Sequence, residues 1–60
     1  MILKQLRQKY GLSQDQLAQE IGVSRSTIAM VETDKNQLTV SLAKKLAKVF
    51  EIDWKDFFID

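Results

Sequence analysis

The chemistry open to this 60-residue chain is set first by what it lacks. Without cysteine or histidine, a disulfide framework and the usual zinc ligands are excluded, as are thiolate and imidazole catalysis. No glycine-rich phosphate loop occurs, since the two glycines, Gly11 and Gly22, stand alone. The carboxylates are scattered or fall where helices begin, and so short a chain leaves little room for a substrate cleft. The chain therefore reads as no enzyme, with no metal, no cofactor and no small-molecule ligand. What remains is recognition by cationic and hydrogen-bonding side chains. Those between Gln14 and Asn36 include Arg25, Ser26, Thr27, Thr33 and Lys35.

The formal charge is +1, but it divides unevenly. Residues 51–60 hold Glu51, Asp53, Asp56 and Asp60 against Lys55, while residues 1–50 hold 8 basic and 4 acidic groups. A basic body with an acidic tail suits an anionic partner on one face and something else at the other end. Met1-Ile2-Leu3 runs directly into Lys4, so no signal peptide is expected, and no segment is long enough to span a membrane. A soluble cytoplasmic protein is the expectation, with residues 1–60 as one domain. A domain this short buries only roughly 60% of the surface its unfolded chain exposes. Good helix packing, helped by oligomerisation, must make up the difference.

Five short helices are predicted to position these residues. The first covers about residues 2–9, with Leu3, Leu6 and Tyr10 at helical spacing, and stops at Gly11. Ser13 opens the second, with Gln16 completing a capping box; Leu17, Ala18 and Ile21 face inward, and Gly22 ends it. Ser24 caps the third, whose Ile28 and Val31 face inward. It ends near Thr33-Asp34, where aspartate tolerates a positive φ. Thr39 caps the fourth, with Val40, Ala43, Leu46, Ala47 and Phe50 on one apolar stripe, and Leu42 and Val49 on a second. Asp53 caps a final short helical turn carrying Trp54, Phe57 and Phe58. The class is all-α.

Two helices crossing tightly need a small residue at their contact, a glycine at the turn and apolar residues on the inward faces. Counted from Gln14, Ala18 is the small residue and Gly22 the glycine. Leu17, Ile21, Val23, Ile28 and Val31 are the inward positions. All comply. This is the pattern of a helix-turn-helix spanning 14–33, in which the helix at about 24–33 enters the DNA major groove.

Gly11-Leu12-Ser13-Gln14-Asp15-Gln16-Leu17-Ala18 and Ile21-Gly22-Val23-Ser24-Arg25-Ser26-Thr27-Ile28 resemble the phage-repressor and Cro-like (Cro/C1-type, XRE-like) family of bacterial regulators. Glu32-Thr33-Asp34-Lys35 is similar to the Glu-Asn-Gly-Lys signature that follows the recognition helix there. Asp34 stands where glycine is usual, and Leu38 where proline is common. Residues 52–58 resemble the family's closing helix. The resemblance covers nearly the whole chain. It implies a compact five-helix phage-repressor-like domain that binds double-stranded DNA as a transcriptional regulator.

By this resemblance Arg25, Ser26 and Met30 are the base-reading residues. Arg25 can pair bidentately with guanine O6 and N7, a contact worth about 1–3 kcal/mol of discrimination. Met30 lacks a hydrogen-bonding head and is suited to thymine methyls. Gln14 matches the residue that bonds a phosphate and braces the recognition helix, and the helix end beside it favours an anion. Thr27, Thr33, Lys35 and Asn36 are further contacts to the DNA backbone, which position without reading sequence. Arg7 and Glu32 are expected to form an internal ion pair between the first and third helices. Lys44, Lys45 and Lys48 read as a solvated face.

Phe57 and Phe58 match inward family positions, which leaves Trp54 and Ile59 as surplus apolar groups near the end of the chain. Exposed, they suit a homodimer interface. A two-fold dimer through the C-terminal helix would set two recognition helices about 34 Å apart to read a palindromic operator. Repression is the expected outcome. A protein-interaction module, such as an antitoxin or adaptor that keeps the helix-turn-helix fold, is the alternative.

Overall fold

The computed structural model describes residues 2–59, with the Lys35 side chain outside that description. The chain forms α1 (Ile2–Lys9), α2 (Gln14–Ile21), α3 (Arg25–Thr33) and α4 (Val40–Phe50). Turns of 3₁₀ helix follow α3 at Lys35–Gln37 and α4 at Trp54–Phe58. Among the described residues there is no strand, and no helix is long and apolar enough to cross a membrane. The fifth helix expected after α4 is corrected to the second of these 3₁₀ turns. Only five residues separate the Asp53 cap from Ile59, too few for a useful run of α-helical hydrogen bonds.

α2, α3 and α4 each open on a side chain that satisfies a free backbone N–H. Ser13 Oγ accepts the Gln16 N–H at 3.0 Å, and Gln16 Oε1 accepts the Ser13 N–H at 2.8 Å, closing a reciprocal capping box. Ser24 Oγ and Thr39 Oγ1 accept from Thr27 and Leu42 in the same manner. The turn between α2 and α3 depends on Gly22, at φ 75°. Its left-handed conformation lets the Val23 N–H reach Ala18 O at 3.0 Å, so the chain turns within the three residues Gly22, Val23 and Ser24 before α3 starts.

Two helix ends depart from the simple rule. Asp34 does not adopt a positive φ; it is extended, at φ −141°. Its carboxylate accepts the Asn36 N–H at 3.0 Å, and its carbonyl accepts the Gln37 N–H at 3.0 Å. The residue thus ends α3 by opening the next turn, a task for which an Asp side chain suits better than glycine. Glu51 has the left-handed backbone instead, at φ 56°, while the Ile52 N–H bonds Ala47 O at 3.1 Å.

The core is built from Leu3 of α1, Leu17 and Ala18 of α2, and Ile28 and Val31 of α3, with Ala43, Leu46, Ala47 and Phe50 of α4. Leu38 and Phe57, on the connecting and terminal segments, close it. Ala18 is buried where α2 and α3 make the most extensive helix–helix contact, and its small side chain permits that approach. Val40, at the start of the expected apolar stripe, is exposed because it lies at the first position of α4. Tyr10 is also mostly exposed, with its ring edge set against Phe50.

One polar cluster fastens α3 to the helices in front of it. The Arg7 Nε–H donates to Glu32 Oε2 at 2.6 Å, and Nη2 donates to Glu32 Oε1 at 3.2 Å. Arg7 Nη1 donates to Leu12 O at 2.9 Å, and Gln14 Nε2 donates to Glu32 Oε1 at 3.0 Å. The Glu32 side chain is only 4% exposed. Burial pushes its carboxyl up, but the bonds from Arg7 and Gln14 and the charges of Arg7 and Lys4 outweigh this, so it titrates below the ordinary value.

Two stability predictions follow. Glu51→Gly removes left-handed strain and a carboxylate at a helix C-terminus, and should stabilise by about 1 kcal/mol. In a thermal melt that is a rise of roughly 4–8 °C. Arg7→Ala strands a buried carboxylate and should cost about 3–5 kcal/mol by urea unfolding at neutral pH. A carboxyl with a lowered folded-state pKa contributes stability above its unfolded value and loses it as pH falls through the folded one. The gap between wild type and Arg7→Ala should therefore narrow below about pH 4.5, the ordinary value for this group.

Candidate nucleic-acid interface

The geometry of α3 follows from which of its residues the core takes. Ile28 and Val31 are buried, and Glu32 is held from behind by Arg7 and Gln14. Residues three and four apart on a helix share a face. Consequently Ser26, Ala29, Met30 and Thr33 form the outward side, with Arg25 in the first turn. Arg25, Ser26, Met30 and Thr33 are exposed and Ala29 is half-buried. Met30, at 50% exposure, is the largest apolar group on this side. No hydrogen bond or ion pair engages the Arg25 guanidinium among the described residues, so its donors face solvent.

The hydroxyls here are less free than the sequence implies. Thr33 Oγ1 donates back to its own helix, 3.1 Å from both Ala29 O and Met30 O. Thr27 Oγ1 lies 3.0 Å from Ser24 Oγ, and Thr27 is half-buried. Ser26 is the exposed hydroxyl of α3 without such a partner among the described residues.

Around this face the remaining site residues take different places. Gln14 stands at the N-terminus of α2, half-buried, with its amide turned onto Glu32. One of the two amide hydrogens satisfies that bond, and the other is left for a second acceptor. Asn36 is exposed just beyond the end of α3, its backbone fixed by Asp34. The Lys35 side chain, an expected phosphate contact, lies outside the described residues. Arg7 is not on the outward face at all: it lies inside, between α1 and α3.

The C-terminal aromatics are arranged differently from expectation. Trp54 is half-buried and packs against the core, and Phe57 is buried. Phe58, expected inward, is 45% exposed, and Ile59 is 66% exposed. A 3₁₀ turn has three residues per turn, so Trp54 and Phe57 share one side and Phe58 is rotated off it. The exposed apolar pair is therefore Phe58 with Ile59, whereas Trp54 is flanked by Lys44 and Lys55 with ammonium groups 5.6 and 6.0 Å from its ring centroid. Reading the final segment with a period of 3.6 conceals this; a period of three assigns Phe58 correctly.

Comparison with known proteins adds an independent line. A family model described as helix-turn-helix matches residues 3–57. An uncharacterized HTH-type transcriptional regulator of Archaeoglobus fulgidus is 40% identical over 57 residues, covering 95% of this chain and 81% of that protein. The uncharacterized HTH-type transcriptional regulator YgzD of Bacillus subtilis is 36% identical over 56 residues, 93% of this chain and 85% of its own length. The HTH-type transcriptional regulator PuuR of Escherichia coli is 38% identical over 56 residues, which are 93% of this chain and 30% of that longer protein. No solved structure matches the chain closely enough to count as a relative. With a capped α2, a glycine turn, an α3 turned outward and a family match over almost its whole length, the chain belongs to the Cro/C1-type helix-turn-helix family.

Proposed function

We propose that this protein binds double-stranded DNA sequence-specifically as a small transcriptional regulator, with α3 in the major groove. The observation that carries this reading is the outward face of α3. It is exposed, it begins with an Arg25 that has no partner among the described residues, and it is fixed from behind by the Arg7–Glu32–Gln14 cluster. A reading helix must hold its side chains within a fraction of an ångström of the base edges, which a buried bidentate ion pair favours. The relatives' names as transcriptional regulators support the same function.

In this reading Arg25 pairs with a guanine, and Ser26 and Met30 contact neighbouring bases. The N-terminus of α2 with Gln14, together with Thr27, Lys35 and Asn36, sets the register on the phosphates, while Thr33, its one O–H turned back onto Ala29 O and Met30 O, has no donor left for them. One subunit offers a single strong hydrogen-bonding reader, too little for high specificity. A homodimer on a palindrome doubles the surface, and its contact is assigned to the C-terminal end through Phe58 and Ile59, with Trp54 beneath them. Occupying such a site excludes other proteins from it, so repression is the regulatory outcome.

Selection of bound duplexes from a random pool, followed by titration at several salt concentrations, tests this reading. The expected result is one preferred palindrome whose affinity falls steeply with salt while discrimination persists. Equal, weak binding to every duplex would favour a protein-interaction module instead. Arg25→Ala should lose about 1–3 kcal/mol of discrimination at one base position and leave the melting temperature unchanged. Ile59→Asp should abolish dimers in sedimentation and lower affinity for the full palindrome far more than for a half-site.

A further inference from the structure

The outward face of α3 has two chemically distinct halves. Its first turn carries Arg25 and Ser26, whose side-chain polar groups have no partner among the described residues. The remaining turns carry Ala29, Met30 and Thr33. Alanine offers only a methyl group, and methionine only a flexible thioether. Threonine would ordinarily add a hydroxyl, but Thr33 Oγ1 is turned back onto the carbonyls of Ala29 and Met30, each at 3.1 Å. Its methyl is what remains for a partner. This half of the face is apolar, and with Met30 half-exposed it protrudes from the helix.

In the major groove one base-edge feature is complementary to such a surface. The other groups that project there are hydrogen-bond donors and acceptors or bare C–H edges; the thymine C5-methyl is the one apolar group that stands out into the groove. Accepting the proposed function, we infer that the C-terminal half of α3 reads pyrimidine C5-methyl groups. Met30 is the principal contact, with Ala29 and Thr33 flanking it. The preferred operator then carries thymine beside the guanine read by Arg25. Specificity at those positions comes from burying a methyl group and from leaving no polar partner for a hydrogen-bonding base edge. Thr33 thereby takes a part in base recognition in place of the backbone contact expected of its hydroxyl.

The test uses the preferred duplex found by selection, resynthesised with deoxyuridine in place of thymidine one position at a time. This removes the methyl group and leaves base pairing intact. Wild-type protein should lose about fourfold in affinity at each contacted position, the worth of one buried methyl-sized group. Replacing such a uracil–adenine pair by 5-methylcytosine–guanine should bind better than unmethylated cytosine–guanine at the same position. Met30→Ala, an exposed substitution whose fold is checked by its melt, should bind thymine and uracil duplexes equally at the central position. Arg25→Ala should keep the wild-type thymine–uracil ratio.

Uracil duplexes bound as tightly as thymine duplexes would overturn this inference and leave the DNA-reading function standing. A uracil penalty fully retained by Met30→Ala would overturn the assignment to this half of α3. Failure to select any preferred duplex would instead overturn the proposed function, and the inference with it.

Discussion

The buried carboxylate of Glu32 is the constraint around which this small domain is organised. A carboxylate so enclosed must be paired, or its desolvation would expel it. Arg7 supplies two donors and Gln14 a third, so one residue of α3 is held by the helix before the motif and by the first helix within it. The same Arg7 also bonds Leu12 O, at the point where α1 gives way to the α2 cap. A replacement by apolar residues of similar volume could be as stable. It would not fix the rotation of α3 in the same way, and that rotation decides which side chains stand outward.

Much of the fold was legible because its boundaries rest on local chemistry. Ser13 with Gln16, Ser24, Thr39 and Asp53 announce helix starts through side-chain oxygens that reach nearby N–H groups, a relation confined to a few residues. Gly22 announces the turn because its backbone needs a left-handed conformation. The ends that local chemistry leaves open depend on competition between neighbours. Asp34 was available for two roles and took the one in which its carboxylate serves Asn36, which requires an extended backbone. Glu51 accepts the strained conformation because Ile52 must turn back to Ala47 for the chain to deliver Phe57 to the core.

The outward site was legible in outline and not in detail. Periodicity around Ile28 and Val31 places Arg25, Ser26 and Met30 outward without any coordinates. It says nothing of hydroxyl orientation, so the turning of Thr33 onto its own carbonyls and the pairing of Thr27 with Ser24 emerge only in three dimensions. The terminal segment was misread for a related reason. Trp54, Phe57 and Phe58 are all large aromatics, and only the tighter 3₁₀ winding decides which of them faces solvent. The exchange of Trp54 for Phe58 on the exposed side moves the proposed dimer contact by a few residues and leaves it at the same end.

In the proposed function a rigid base of Arg7, Gln14 and Glu32 lies beneath the face from Arg25 to Thr33 that meets DNA. An NMR titration of isotope-labelled protein with a selected duplex tests that arrangement directly. The largest amide and side-chain shifts should fall on Arg25, Ser26, Ala29, Met30 and Thr33 and at the start of α2, with α4 little changed beyond effects of dimerisation. Shifts concentrated on Lys44, Lys45 and Lys48 of α4, with the outward face of α3 undisturbed, would contradict it.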